Sequence, residues 1–225
     1  MNIGSFILTK NDCYRAGKRI KPQGIVVHST GVNQKKASVF LNSWNKEGVS
    51  VCVHAFIGVL ADGHIGVVQT LPWNMRCWGA GKGKYGSYNN SHIQFEICED
   101  ALLDRAYFEA VFFCAVRLCA HLCRVYGLAT DNIVSHAEAH KKGYASNHAD
   151  CDHWLRRFGK SMQDFRNEVK EMMEIQNTVE HMIEDGVTSE QNRESWELFL
   201  AGKAPMEPRY VKIIFDRYHE RQGKT

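Results

Sequence analysis

Two kinds of apolar pattern alternate along most of the chain. Gly24 to His28 is a continuous β-branched run that ends at a histidine, which predicts a strand buried on both faces and opening onto a loop. Apolar residues at helical spacing predict a helix from Lys35 to Trp44. Val51 to Gly58 and His64 to Gln69 are strand-like runs separated by the turn sequence Ala-Asp-Gly, so we expect a hairpin there.

The middle of the chain has one long aperiodic stretch and then its most regular helical pattern. Leu71 to Ser91 is rich in glycine and aromatic residues, and we expect a surface loop that lines a groove. Ile93 to Cys98 has strand character, and from Arg105 to Tyr126 the apolar residues follow one helical stripe. This alternation predicts an α/β domain with a mixed central β-sheet flanked by helices.

Toward the C-terminus, amphipathic segments replace the strands. Ser161 and Asp164 are spaced like a helix N-cap pair and predict the last helix of the main domain. The amphipathic segments that follow are Ile175 to Asp185, Ser189 to Leu200, and Pro208 to His219. We therefore expect a main domain at residues 1–172 and a small C-terminal helical module at residues 173–225.

Composition and charge narrow the classes of function. The 225 residues carry 28 Lys and Arg against 25 Asp and Glu without a basic run, so we expect no nucleic-acid partner. The chain shows no export signal and no apolar segment long enough for a bilayer, so we expect cytoplasmic synthesis without a signal peptide and no membrane insertion. The eight cysteines form no CxxC pair, which is typical of free thiols in a reducing compartment.

Candidate chemistry comes from three polar residues that follow predicted elements. His28 ends the first buried strand, His136 follows the short apolar run after the long helix, and Asp150 lies in a polar segment beyond it. Two imidazoles and a carboxylate would leave zinc one open position for water, as a catalytic site requires. Most histidines in proteins are surface or core residues, so each of the three is weak when taken alone.

Six short motifs occur in a characteristic order. They are Val-Val-His28-Ser-Thr, Val53-His54-Ala-Phe-Ile-Gly with Asp62-Gly63, Cys77-Trp78-Gly-Ala-Gly, Ile93-Gln-Phe-Glu96-Ile, Val134-Ser-His136 and His148-Ala-Asp150. The ordered set resembles the N-acetylmuramoyl-L-alanine amidase type 2 family, which includes phage endolysins, cell-wall-recycling amidases and animal peptidoglycan recognition proteins. The resemblance covers roughly residues 20 to 158.

The resemblance implies a zinc-dependent amidase that cuts peptidoglycan between the lactyl group of N-acetylmuramic acid and L-alanine. The metal ligands that it implies are His28, His136 and Asp150. Cys151 is the alternative third ligand because thiolate binds zinc well, but it lies one residue past the expected position, and Asp152 is a poorer choice.

Glu96 stands where recycling-type members of the family carry a catalytic glutamate, so the resemblance implies that it is the general base. Val53 stands where other members carry a catalytic tyrosine, which places the chain with the glutamate-dependent branch. The alternative for Glu96 is a solvent-facing strand carboxylate, as we expect for Glu99.

Three further residues receive roles from the resemblance. His148 stands where the family has Lys or Arg and would stabilise the oxyanion or protonate the leaving amine, so activity should fall as pH rises and the imidazole loses its proton. Trp78 either contacts sugar or peptide beside the groove or is a core aromatic residue. His54 is expected to be structural, near the metal but not bound to it.

Three functional hypotheses follow. The first is a phage or prophage endolysin that acts at the cell wall after release. The second is a cytosolic recycling amidase that acts on soluble muropeptides. The third is a non-catalytic peptidoglycan-recognition protein, which would normally have lost a zinc ligand. The module at residues 173–225 loosely resembles the helical modules of clostridial-type endolysins and would bind cell wall, form a homodimer or only cover the catalytic domain.

Overall fold

A six-stranded mixed sheet forms the centre of the larger part of the chain. The strands are β1 (Ile3–Ser5), β2 (Gly24–Asn33), β3 (Ala55–Val59), β4 (Ile65–Gln69), β5 (His92–Glu99) and β6 (Ile133–Ser135). They lie in the order β1-β4-β3-β5-β2-β6, and all neighbours run parallel except β3 and β4, which form the predicted antiparallel hairpin. The mixed sheet flanked by helices is confirmed.

The structure is a computed structural model, and it describes residues 2–205, 212, 214, 216 and 217. Its helices are α1 (Asp12–Ala16), α2 (Ala37–Trp44), α3 (Arg105–Tyr126), α4 (His136–Lys141), α5 (Asp152–Arg157), α6 (Met162–Glu184) and α7 (Arg193–Leu200). Contacts divide the chain into two compact units, one of residues 2–169 and one that begins at Lys170.

The long helix α3 has the predicted bounds because both of its ends are capped. The Asp104 side chain accepts a hydrogen bond from the Tyr107 backbone N–H, and Gly127 closes the helix with a left-handed φ of 64°. By length and composition α3 could cross a membrane, but 67% of its most apolar window is buried inside the protein, as in the core helix of a globular domain.

Strand β2 is longer than its apolar run. Ile25, Val26 and Val27 are at most 1% exposed between β5 and β6, as the pattern predicts. Beyond His28 most residues are polar, yet the backbone still pairs with β5 at Ser29 and, after a shift of register, at Asn33. Main-chain hydrogen bonds, which do not depend on side-chain polarity, extend the strand.

Helix α6 crosses the position where we expected a boundary. It runs from Met162 to Glu184 without interruption, so the division between residues 172 and 173 falls inside a helix. No glycine or proline interrupts the sequence before Gly186, and the helical spacing of apolar residues simply continues. The segment from Pro208 to His219 lies largely outside the described residues, and the role of the C-terminal module stays a prediction.

Candidate metal centre

The register of two parallel strands brings His28 and His136 together. Val27 in β2 pairs with Ser135, the last residue of β6, so His28 lies beside His136, which begins α4. Parallel strands in register present paired residues on the same face of the sheet. The Nδ1 atoms of His28 and His136 are consequently 3.0 Å apart.

Asp150 completes a cluster of three ligand side chains. Its Oδ2 atom lies 3.1 Å from Nδ1 of His28, and its Oδ1 atom lies 3.5 Å from Nδ1 of His136. Within the described part of the chain, this is the one group of three His, Cys, Asp or Glu side chains whose ligand atoms are close enough to hold a metal ion. We call these three side chains the metal-ligand cluster.

The spacing of these atoms fits a zinc ion. Ligands about 2.0–2.1 Å from zinc at tetrahedral angles lie about 3.4 Å from one another. The two Nδ1 atoms are 3.0 Å apart, and Asp150 approaches that of His28 at 3.1 Å through Oδ2 and that of His136 at 3.5 Å through Oδ1, so each nitrogen has a carboxylate oxygen near that distance. Two nitrogens and one carboxylate oxygen are also a ligand set that zinc accepts, and three protein ligands leave a fourth position open.

The charge of the cluster favours a cation. Burial by itself would raise the pKa of Asp150, but its close contacts with the His136 and His28 imidazoles outweigh burial and hold the pKa well below its usual range. The Asp150 side chain is 15% exposed, whereas those of His28 and His136 are 1% and 4% exposed. A carboxylate therefore stays ionised in a largely buried cluster, where a metal ion can balance its charge.

The two alternative third ligands have other partners. The Cys151 thiol is fully buried, its Sγ lies 3.9 Å from the sulfur of Met162, and burial raises its pKa. Asp152 accepts a hydrogen bond of 2.5 Å from the Ser135 hydroxyl. Neither side chain belongs to the metal-ligand cluster.

Glu96 lies on the ligand face of the sheet. It pairs in register with His28 across the parallel strands β5 and β2, so both side chains project from the same face. In the described structure its Oε2 atom is buried without a hydrogen-bond partner. Burial raises the pKa of Glu96 well above its ordinary value, and repulsion from Asp150 and Glu99 adds to the shift. A buried carboxyl group with a raised pKa is a candidate for proton transfer.

Our expectation that Glu99 faces solvent is wrong. Glu99 is 2% exposed, and its Oε1 atom accepts a hydrogen bond from the Gly31 backbone N–H and lies 3.1 Å from Nε2 of His153. Strand β5 lies in the interior of the sheet, and His153 of α5 covers its end. The alternation of side chains along one strand could not reveal this cover, because it comes from a distant helix.

His148 is at the edge of the metal-ligand cluster. Its ring stacks on that of His136 with 4.8 Å between centroids and 25° between planes. The side chain is exposed, so it can exchange protons with solvent beside the cluster. Its catalytic role stays a prediction.

Trp78 is a surface residue and not a core aromatic. It is 49% exposed, and the Arg76 guanidinium lies 4.8 Å from the centroid of its ring. Backbone hydrogen bonds to Cys52 hold it in position. An exposed indole on this loop is available to a ligand, and its contact with substrate stays a prediction.

The sequence patterns did not identify two polar side chains that contact the Nε2 atoms of His28 and His136. Nε2 of His28 lies 3.0 Å from Oε1 of Gln94, and Nε2 of His136 lies 3.3 Å from the Ser146 hydroxyl. The alternation along β5 places Gln94 on the same face as Glu96, which was the signal that could have found it. Ser146 lies in a loop, where no periodicity identifies it.

The sequence and the structure were compared with known protein families and solved structures. The sequence model of the family described as N-acetylmuramoyl-L-alanine amidase matches residues 18–153. The comparison with curated proteins gave no match.

Among solved structures, the chain is similar to the Staphylococcus aureus hydrolase AmiA in complex with its ligand, with a TM-score of 0.59 and 22% identity over 79% of this chain and 86% of AmiA. It is similar to a mutant endolysin from Bacillus subtilis, with a TM-score of 0.56 and 24% identity over 75% of this chain and 99% of the endolysin. It is also similar to Pseudomonas aeruginosa AmpDh3 in complex with anhydromuramic pentapeptide, with a TM-score of 0.50 and 15% identity over 90% and 82% of the two chains. At these identities the likeness establishes the fold.

Proposed function

The chain belongs to the N-acetylmuramoyl-L-alanine amidase family, and from that premise we propose that it is a zinc-dependent hydrolase of bacterial peptidoglycan. The bond cut is the amide between the lactyl group of N-acetylmuramic acid and L-alanine. The observation that carries the proposal is the metal-ligand cluster, whose three ligand atoms converge beside the unpartnered buried oxygen of Glu96.

His28, His136 and Asp150 would hold the zinc ion. When bound there, zinc would polarise the scissile carbonyl and make water nucleophilic at neutral pH. Asp150 is favoured over Cys151 as the third ligand because its oxygens face both imidazoles, whereas the Cys151 thiol packs against Met162.

Glu96 would take the proton of the attacking water. Its raised pKa makes it a stronger base than an exposed carboxylate, and its in-register position beside His28 directs it to the metal side of the sheet. His148 would pass a proton to the leaving amine or stabilise the oxyanion, since its exposed ring stacks against a ligand. Trp78 would contact the sugar or the stem peptide.

The biological setting that we propose is a phage or prophage endolysin. This assignment is supported by the similarity to a Bacillus subtilis endolysin, which is covered over 99% of its length. A recycling amidase would share the chemistry but act on soluble muropeptides, and a recognition protein would bind peptidoglycan without cleaving it. Residues 173–225 would bind cell wall or join two copies of the chain.

Mass spectrometry of digested peptidoglycan tests the proposal. Purified protein should release stem peptides with a free N-terminal L-alanine and leave the disaccharides intact. A chelator should abolish release, and added zinc should restore it. Activity on isolated walls supports an endolysin, while activity confined to soluble muropeptides supports a recycling enzyme. New reducing ends would indicate a glycosidase and contradict the amidase assignment, and binding without any cleavage would favour the recognition protein.

A further inference from the structure

The two ring nitrogens of His28 have different partners. Nδ1 faces the other two members of the metal-ligand cluster, and Nε2 faces Oε1 of Gln94 at a distance of 3.0 Å. A neutral imidazole carries one proton, and the nitrogen that binds a metal must be the one without it. His28 can therefore act as a ligand through Nδ1 only if its proton is on Nε2.

Asp150 opposes that arrangement before a metal is bound. Its Oδ2 atom lies 3.1 Å from Nδ1 of His28 and is a hydrogen-bond acceptor. Acting alone, this carboxylate would draw the proton of the ring to Nδ1. A second acceptor is needed at Nε2 to balance it.

A chain of hydrogen bonds fixes which end of the Gln94 amide faces His28. The chain starts at the backbone N–H groups of Gly79 and Ala80, which donate to Oδ1 of Asn89 at 3.2 and 2.9 Å. Backbone N–H groups can only donate, so this atom of Asn89 must be its oxygen. The other end of the Asn89 amide donates to the carbonyl of Gly81, which can only accept.

The same logic extends from Asn89 to the histidine. The Gln94 side-chain atom that lies 3.0 Å from Oδ1 of Asn89 must be a donor, and it is therefore the NH₂ group. The remaining end of the Gln94 amide, which faces Nε2 of His28, must be the carbonyl oxygen. An amide oxygen accepts only, so Nε2 carries the proton.

We propose that Gln94 is a positioning residue that keeps the proton of His28 on Nε2 and leaves Nδ1 free to bind the metal, with Asn89 holding the Gln94 amide in the required orientation. The inference rests on the metal site of the proposed function. Partners of this kind set the tautomer and the orientation of metal-binding histidines.

Two features of the surroundings support a fixed amide. Gln94 is fully buried, and its backbone N–H donates to Nδ1 of His54, which anchors the strand at this residue. A Cβ atom on Gly79 would lie 2.6 Å from Oε1 of Gln94. Glycine at this position is therefore what allows the loop backbone to approach the amide.

The first measurement is the protonation of His28 by long-range ¹H–¹⁵N NMR in the metal-free protein at about pH 8, above the ordinary range of imidazole protonation. We expect a proton on Nε2. A ring that carries its proton on Nδ1 alone, with Nε2 bare, would overturn the proposal. This measurement does not require zinc binding, so it separates the inference from the proposed function.

The second measurement is zinc affinity by competition with a chromogenic chelator. Gln94→Met keeps the side-chain length but loses the strong acceptor, and we expect its dissociation constant for zinc to rise about 10–100-fold, with the bare-Nε2 form of His28 now populated. Thr70→Val is the matched control, because it removes a buried hydroxyl that bonds the carbonyl of Val53 and not a metal ligand. It should lower the melting temperature and leave zinc affinity unchanged.

The outcomes separate the two proposals. If wild-type protein binds zinc and Gln94→Met binds it within about threefold as tightly, Gln94 only fills the core and the inference is wrong. If wild-type protein does not bind zinc, the proposed function is wrong, and the NMR measurement still decides the protonation of His28.

Discussion

Two histidines, His28 and His54, are buried to almost the same degree, but their ring nitrogens have different partners. His28 is 1% exposed and His54 is fully buried. Both nitrogens of His54 have backbone partners, since Nε2 lies 2.8 Å from the carbonyl of Met75 and Nδ1 accepts from the N–H of Gln94. His28 has no such pair of backbone partners: its Nε2 faces the side-chain oxygen of Gln94, and its Nδ1 faces the metal-ligand cluster.

The comparison shows that burial does not distinguish the proposed metal ligand from a structural histidine. Burial lowers the pKa of His54 to about 4, and hydrogen bonds to its two backbone partners do not reverse the shift. His54 is thus a neutral ring with both of its polar atoms satisfied, as in many protein cores. What distinguishes His28 is a ring nitrogen that faces two other potential ligands.

Replacing each histidine by alanine gives the largest expected contrast. His28→Ala should lower amidase activity about 10⁴-fold, because a metal supplies several kcal/mol of transition-state stabilisation and about 1.4 kcal/mol corresponds to a factor of ten. His54→Ala should keep zinc binding and instead lose about 1–3 kcal/mol of stability, because the N–H of Gln94 and the carbonyl of Met75 would lose their partner. Turnover, zinc content and urea denaturation measure the three quantities. Loss of zinc from His54→Ala in a folded protein would break the distinction.

Two glutamates of β5 show a similar contrast. Glu96 has a buried oxygen without a hydrogen-bond partner, whereas Glu99 interacts with Gly31 and His153. Glu96→Gln should lower kcat about 10²–10⁴-fold, the usual range for a general base, without loss of stability. Glu99→Gln should cost about 1–2 kcal/mol of stability, because it weakens the interactions with Gly31 and His153, and change kcat only a few-fold. Equal losses of kcat in the two variants would mean that Glu96 has no special role.

The pH dependence of stability tests the neutral state of His54. Its pKa is about 4 in the folded protein against an ordinary 6.5, so below pH 6.5 the unfolded chain binds the proton first and stability falls as pH decreases toward 4. The loss should approach about 3 kcal/mol at about 1.4 kcal/mol per pH unit. Urea denaturation of chelator-treated wild type and His54→Asn should show the steeper decrease in the wild type. His92, whose pKa burial and Lys142 also lower to about 4, contributes to both proteins and cancels.

The smallest effect concerns the exposed histidine beside the cluster. If protonated His148 assists the leaving group, kcat of the wild type should decrease as pH rises from about 6 to 9. His148→Lys keeps its charge over this range, so its kcat should change less with pH. At the alkaline end the two proteins should differ in kcat by up to about tenfold. The pH–rate profiles of the two proteins at saturating zinc provide the measurement. A wild-type profile that is already flat would remove His148 from the mechanism.

Local patterns in the sequence were sufficient for most of the fold. The apolar stripe and the closing Gly127 determine α3, and the turn between two strand-like runs determines the β3–β4 hairpin. The ordered motifs were enough to identify the family and to nominate the three residues of the metal-ligand cluster. These signals are local or depend on residue order, so they can be read without a structure.

The contacts between distant residues depend on the packing of the whole domain. His28 and Asp150 are 122 residues apart, and their contact depends on how β2, β6 and the segment before α5 pack together. The same packing turns Cys151 toward Met162, covers Glu99 with His153, and places Gln94 behind His28. Hydrogen bonds are directional and act over about 3 Å, so a side chain's role depends on neighbours that only the folded chain brings within that distance.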